Sequence, residues 1–171
     1  MKRAFNLIEL LMTLVIIAIL LGIAIPSVRY YVLENRAMVN IDKLAAAIND
    51  ARNEAIKRTE MITLCPSSDH KTCGGHWRDG QIMKMGSGQV LRIFDNLSGD
   101  DDLVWNSSGG RDESLELMPS GYTHGQRGSF YYCTQDAQHS RALVLLNTGR
   151  SYTSVVSTAN FLKFCSQSSL L

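Results

Sequence analysis

The chain has 171 residues, with 17 Lys and Arg against 16 Asp and Glu and a formal net charge of +1. That length holds one modest domain beside the first roughly thirty residues, which excludes a two-domain enzyme. The even charge balance excludes a histone-like basic binder and an acidic disordered chain, so any nucleic-acid contact must come from a local patch. Apolar residues make up 45% of the chain against 19% charged, and the excess sits at the N-terminus.

Lys2 and Arg3 precede a run from Leu10 to Val28 that carries no charge and is rich in Leu, Ile and Val. A hydrocarbon core of roughly 30 Å needs about 20 apolar residues in helix, so the run is long enough to cross a bilayer. The two cations in front of it hold the N-terminus on the cytoplasmic side. A plain anchor fits this pattern, and so does a secretory signal cut near Gly22-Ile23-Ala24. Neither has a use for Glu9, because a carboxylate in a spanning segment costs about 2.5–3.5 kcal/mol on insertion scales and asks for a partner.

The run Phe5-Asn6-Leu7-Ile8-Glu9-Leu10-Leu11 resembles the class III signal of type IV prepilins. The resemblance implies cleavage by a prepilin peptidase between Ala4 and Phe5, N-methylation of Phe5 and retention of the apolar segment. Ala4 stands where Gly is usual, and Pro26 falls where pilins often kink. In a stack of helices Glu9 of one subunit can pair with the Phe5 amine of the next. Each group then fixes the register of the other, since removing one partner of a buried pair leaves a charge costing roughly 3–5 kcal/mol.

After Pro26 the pattern stays helical. Val32, Met38, Ile41, Leu44, Ala45, Ile48, Ala51 and Ala55 recur at steps of three and four, and no Gly or Pro occurs from Ser27 to Arg58. Arg29, Glu34, Arg36, Lys43, Asp50, Glu54 and Lys57 lie on the other side, and Arg52, Lys57 and Arg58 read as solvated surface. Beyond Thr59 short β-rich runs follow at 61–64, 81–85, 90–94, 103–105, 115–118, 130–133, 142–146 and 152–156. Turn clusters such as Ser107-Ser108-Gly109-Gly110 and Pro119-Ser120-Gly121 separate them. The expected fold is α+β, a long N-terminal helix laid on an antiparallel sheet, since a sheet with one apolar face must bury it.

The segments Asn53-Glu54-Ala55-Ile56-Lys57-Arg58, Ile62-Thr63-Leu64-Cys65-Pro66-Ser67, Leu91-Arg92-Ile93-Phe94-Asp95, Gly128-Ser129-Phe130-Tyr131-Tyr132-Cys133 and Ala142-Leu143-Val144-Leu145-Leu146-Asn147-Thr148-Gly149-Arg150 are similar, in order and spacing, to the GspH/FimT family of minor pilins and pseudopilins. The Cys65-Pro66-Ser67 element and the paired cysteines look more like the pilus branch (FimT, FimU) than the type II secretion branch. The resemblance implies a leader over residues 1–4, a transmembrane and filament-core helix over 5–27, its second half over 28–58 and a periplasmic β-rich head over 59–171. It implies an inner-membrane protein with other pilins and minor pilins, prepilin peptidase and inner-membrane lipid as partners.

Four cysteines in a chain exported past an apolar anchor imply two disulfides in an oxidising compartment. Three connectivities exist. The expected one joins Cys65 to Cys73 in a short loop and Cys133 to Cys165, tying the C-terminal segment back to a strand, with chain-entropy contributions of roughly 2.5 and 3.5 kcal/mol. Cys65, His70, Cys73 and His76 also form a C-x4-H-x2-C-x2-H array, but the spacing is not that of a zinc finger and oxidation would consume the thiolates. His70 and His76 are therefore read as exposed loop residues. Asp100-Asp101-Asp102, near Asp95 and Gly99, lacks the ligand order of a calcium loop and reads as a solvated run. No metal or cofactor is expected. With no nucleophile elbow, HExxH, phosphate-cradling loop or paired carboxylates, the chain is read as non-enzymatic.

Some FimT-like pilins carry a C-terminal Gly-Arg-x-Arg element implicated in DNA uptake. Here Gly149 and Arg150 align, Ser151 is the free position and Tyr152 stands where the second Arg would be. Arg150, Arg141, Lys163 and Tyr152, with Arg127 and His139 nearby in the reading, form the candidate DNA contact, in which Tyr152 can stack on an unpaired base. The opposing expectation is that Arg150 only occupies a β-turn. The favoured function is a minor pilin that joins or primes a pilus. A DNA-binding minor pilin and a pseudopilin of type II secretion are the alternatives.

Overall fold

The structure, a computed structural model, describes residues 6–97, 101–108, 110–111, 114–134 and 138–165, with the side chains of 23–27, 29, 110 and 111 outside that description. The chain forms two compact units, Met1–Arg36 and Ala37–Leu171. One helix, α1 (Leu7–Arg58), contributes to both.

In the first unit α1 starts with the Asn6 carbonyl accepting from the amides of Glu9 (3.0 Å) and Leu10 (3.2 Å). Every large apolar side chain from Leu7 to Leu21 is more than half exposed. Such a helix, apolar all round, is built for a membrane or for contact with other helices. Among the described residues no helix is long and apolar enough to cross a membrane; the span expected over 5–27 reaches past the described side chains at both ends.

In the second unit the helix buries a single stripe, Ala37, Ile41, Leu44, Ile48, Ala51 and Ala55, with Ala47 beside it. The steps alternate between four and three residues, the spacing of one helix face. Val32 and Met38, expected on this stripe, are exposed; Ala37 takes the place because position along the helix, not side-chain size, decides which residue faces the sheet. The helix stops at Arg58 through two bonds, Thr59 amide to Ile56 carbonyl and Glu60 amide to Ala55 carbonyl. This is the Schellman pattern, with Thr59 at φ 55° where Gly is usual.

Among the described residues nine strands follow, paired antiparallel in two sheets. One holds β1 (Ile62–Pro66), β2 (Gln81–Met85), β3 (Val90–Phe94) and β6 (Leu115–Leu117) in the order β3-β2-β1-β6. The other holds β4 (Asp102–Ser107), β5 (Gly110–Arg111), β7 (Gly128–Cys133), β8 (Arg141–Leu145) and β9 (Ser151–Val155) in the order β5-β4-β7-β8-β9. The expected runs at 81–85 and 90–94 match β2 and β3, and the others match within two residues. β5 arises inside a cluster read as a turn. A short 3-10 turn at Trp77–Asp79 and a C-terminal helical segment, α2 (Thr158–Asn160) continuing through Phe161–Cys165, have no counterpart among the expected elements.

Alternate residues of the strands meet the helix stripe. Ile62, Leu64, Met83, Leu115 and Leu117 come from the first sheet and Leu103, Trp105, Phe130, Tyr132, Leu143 and Leu145 from the second. Phe130 holds the aromatic centre, stacked on Trp105 with centroids 4.1 Å apart and edge-on to Trp77 at 4.8 Å. The other face of the second sheet is covered in part by the C-terminal segment, where Phe164 stacks on Tyr131 at 4.6 Å beside Val104, Ala142 and Val156.

Candidate functional site

Two regions carry the chemistry the sequence singled out, the N-terminal helix and one end of the second sheet. Glu9 is exposed in the first turn of α1. Ala4 and Phe5, the expected cleavage and methylation site, lie outside the described residues. The only carboxylate between Leu7 and Gly22 thus sits on a helix whose side chains from Leu7 to Leu21 are otherwise apolar apart from Thr13, which bonds the Leu10 carbonyl at 2.8 Å.

Both expected disulfides form, Cys65 to Cys73 and Cys133 to Cys165, with Cα atoms 5.5 and 5.4 Å apart. The first closes a loop organised by Asp69. Its carboxylate accepts from the amides of Thr72 (2.8 Å) and Lys71 (2.9 Å) and from the hydroxyls of Thr72 (2.8 Å) and Ser67 (3.0 Å). Those bonds, led by the Thr72 amide, hold Asp69 well below the usual carboxylate range. His76 is exposed as expected, but His70 is not: it is half-buried at φ 57° with Nδ1 shielded from solvent. A Cβ at Gly80 would stand 3.1 Å from His70 Cε1, so the glycine leaves room for the ring.

Of the acidic run Asp100 lies outside the described residues, and Asp101 is not solvated. Asp101 is buried and accepts from the Tyr132 hydroxyl at 2.6 Å, and Asn40 of α1 donates to the same oxygen at 3.0 Å. Helix, sheet and run are thereby joined through one phenol. Nothing in the sequence marks Asp101 above its two neighbours, because the distinction depends on Tyr132 facing inward in β7.

Arg52, read as solvated surface, is structural. Its Nε donates to the Gly121 carbonyl at 2.8 Å, and that carbonyl lies 2.4 Å from where a Cβ on Gly149 would stand. Gly149 has φ 72° and follows the turn in which its amide bonds the Leu146 carbonyl. The helix, the 118–121 turn and the β8–β9 turn therefore meet with no side chain between the two glycines. A Gly is required at 149 on backbone grounds alone.

That junction positions Arg150. Gly128 pairs with Leu145 and the Leu146 amide bonds the Arg150 carbonyl at 2.9 Å, so the register continued by one residue places Arg127 opposite Leu146. Arg127, Leu146 and Arg150 end three adjacent strands in one row, all exposed. The next row on the same face holds Val144 opposite Tyr152, the latter exposed. The structure thus brings Arg150, Tyr152 and Arg127 together and separates them from Arg141 and Lys163. Arg141 pairs with Val155 at the far end of the hairpin, about 17 Å away along the strands. It is half-buried, with Nη1 donating to the carbonyls of Gln138 and Ser140 at 2.9 Å each. Lys163 lies 5.1 Å from the Phe164 ring centroid, over the same far end.

A long helix with an apolar all-round N-terminal half and a disulfide-tied antiparallel head defines a pilin-like protein. The profile of the family described as Type II transport protein GspH matches residues 40–149, and the chain belongs to that family. Its fold is similar to that of the type IV minor pilin FimU of Pseudomonas aeruginosa strain PAO1. In the P21 crystal form the TM-score is 0.57 at 20% identity, over 70% of this chain and 89% of that one. In the P65 form it is 0.54 at 20% identity, over 68% and 91%. Comparison with curated protein sequences finds no match.

Proposed function

We propose that the protein is a minor pilin, cleaved between Ala4 and Phe5, N-methylated on Phe5, held in the inner membrane by residues 5–27 and then packed into a pilus or its initiating complex. The observation that carries this reading is the helix from Leu7 to Leu21, exposed on all sides and bearing the single acid Glu9. An all-round apolar surface needs lipid before assembly and other helices after it. A lone carboxylate in that surface needs a cation, which the Phe5 amine of a neighbouring subunit supplies. Glu9→Ala should leave export and head folding intact and impair incorporation into sheared filaments. Normal incorporation of that variant sinks the registry role.

A second reading, DNA capture, is favoured by the row Arg127, Leu146, Arg150 with Tyr152 beside it: two guanidiniums for phosphates and one phenol for a base. Its test is a gel shift with the head from residue 28, comparing Arg150→Ala and Arg127→Ala. With so few phosphate contacts binding should be weak and steeply salt-dependent. No shift at low salt removes this reading. A third, assembly in a type II secretion pseudopilus, shares the helix argument and is separated by whether loss of the protein abolishes secretion or piliation.

A further inference from the structure

The outer face of the second sheet is covered at one end only. Its row Val104, Tyr131 and Ala142 lies under the C-terminal segment, with Phe164 stacked on Tyr131 at 4.6 Å and Cys165 bonded to Cys133. Side chains on one face recur every second residue, about 7 Å along a strand. Two residues along, the next row holds Asn106, Ser129, Val144 and Tyr152, one each from β4, β7, β8 and β9. The row beyond it holds Arg127, Leu146 and Arg150. None of these seven residues is buried. Two rows of the face are thus open, with the C-terminal segment as a wall along one side.

The two rows differ in chemistry. The outer one carries two guanidiniums without a side-chain partner among the described residues, two strand spacings or about 10 Å apart. The inner one carries no charge. It presents a phenol, 54% exposed, then Val144, then the hydroxyl of Ser129 and the amide of Asn106. Neither row contains an acid. The face therefore complements a polyanion in which charged and flat groups alternate, a phosphate on the arginine row and, one sugar away, a base over the inner row.

We propose that this two-row platform selects single-stranded over duplex nucleic acid, with the strand crossing the sheet from β9 toward β4. The inference rests on the DNA reading above and adds to it the form of the strand and two further contacts, Ser129 and Asn106. An unpaired base lays its face on Tyr152, while the bases that follow turn their polar edges to Ser129 and Asn106. A duplex covers both faces of each base with its neighbours, so it offers Tyr152 nothing to stack on and can use the arginines alone. The phosphates then supply the salt-dependent part of the affinity, and the inner row supplies the preference for an unpaired strand.

The test measures, at low salt and with full-length protein in detergent micelles, the fluorescence anisotropy of a labelled oligothymidine and of a duplex with the same number of phosphates. Unlabelled polyphosphate, which has charge and no rings, serves as competitor. The parent should bind the single strand roughly tenfold more tightly than the duplex, and Tyr152→Ala should bring the single strand to the duplex value. Tyr152→Phe should keep the preference, and Asn106→Ala should weaken single-strand binding about threefold. Duplex affinity and Tm should stay unchanged in all three variants. If Tyr152→Ala folds poorly, Tyr152→Leu, which keeps apolar bulk without the ring, decides on the same criterion. Equal affinity for the two forms, a preference that survives in folded Tyr152→Ala, or polyphosphate displacing the single strand as readily as unlabelled oligothymidine does would overturn the proposal and leave DNA capture by Arg127 and Arg150 standing. Unchanged single-strand affinity in Asn106→Ala would overturn the path across the sheet. Binding of neither form would remove the DNA reading and the platform together.

Discussion

Gly149 sits in the Gly-Arg element that sequence reading connects to DNA, yet its geometry assigns it a purely backbone task. A Cβ at Gly149 would stand 2.4 Å from the Gly121 carbonyl oxygen, and the residue is at φ 72°. Gly125 has nearly the same conformation, φ 75°, with nothing within 4 Å of an added Cβ. Gly125→Ala therefore meets only the left-handed backbone term, about 1–2 kcal/mol. Gly149→Ala meets that term plus the overlap, which must push the 118–121 turn off Arg52 and is expected to add about 1–3 kcal/mol. For a domain of this size each kcal/mol is roughly 2–4 °C in Tm, so Gly149→Ala should melt several degrees below Gly125→Ala. Thermal unfolding of both variants with disulfides intact measures the difference. Equal melting temperatures would refute the close approach of the two turns.

Thr59→Gly should stabilise the protein by about 1 kcal/mol, because a β-branched residue is held at φ 55° at the helix end where Gly fits freely; chemical denaturation checks it, and a destabilised variant would count against the Schellman geometry. Replacing Cys133 and Cys165 together by Ser should cost about 3.5 kcal/mol against about 2.5 for Cys65 and Cys73, since the first bridge closes the longer loop; the same assay ranks the two, and a reversed order would contradict the loop-length account. Asp69, with its folded pKa depressed, contributes stability that is present above the ordinary carboxylate range, near pH 4, and lost as pH falls through the lower folded value. The Tm gap between the parent and Asp69→Asn should therefore be full at neutral pH and shrink below about pH 4; a gap independent of pH would show that the Thr72 and Lys71 amides do not favour the ionised form.

The architecture was largely legible because it depends on periodicity. The helix end at Arg58 and strands β2 and β3 follow from spacing and turn residues, quantities a single sequence carries; cysteine placement left three connectivities open, of which the structure forms the favoured one. What was not legible depends on which atoms meet across the fold. Arg52 looks like any surface cation until Gly121 turns its carbonyl toward α1. Asp101 becomes a buried acceptor only because Tyr132 points inward. Arg127 joins Arg150 through the β7–β8–β9 register, while Arg141 and Lys163, close to Arg150 in sequence, fall at the opposite end of the hairpin. Ala37 outranks Met38 on the buried stripe for a reason of phase that hydropathy does not record.

The central claim, that this is a processed filament subunit, is tested most directly by the intact mass and N-terminal sequence of the membrane-extracted protein made with a prepilin peptidase and its native export machinery. The account predicts a chain that begins at N-methylated Phe5 and has lost four hydrogens to the Cys65–Cys73 and Cys133–Cys165 bridges. A chain that still begins at Met1, or one cut near Ala24, would contradict it, leaving a plain anchor or a secreted head without the Phe5 amine that Glu9 requires.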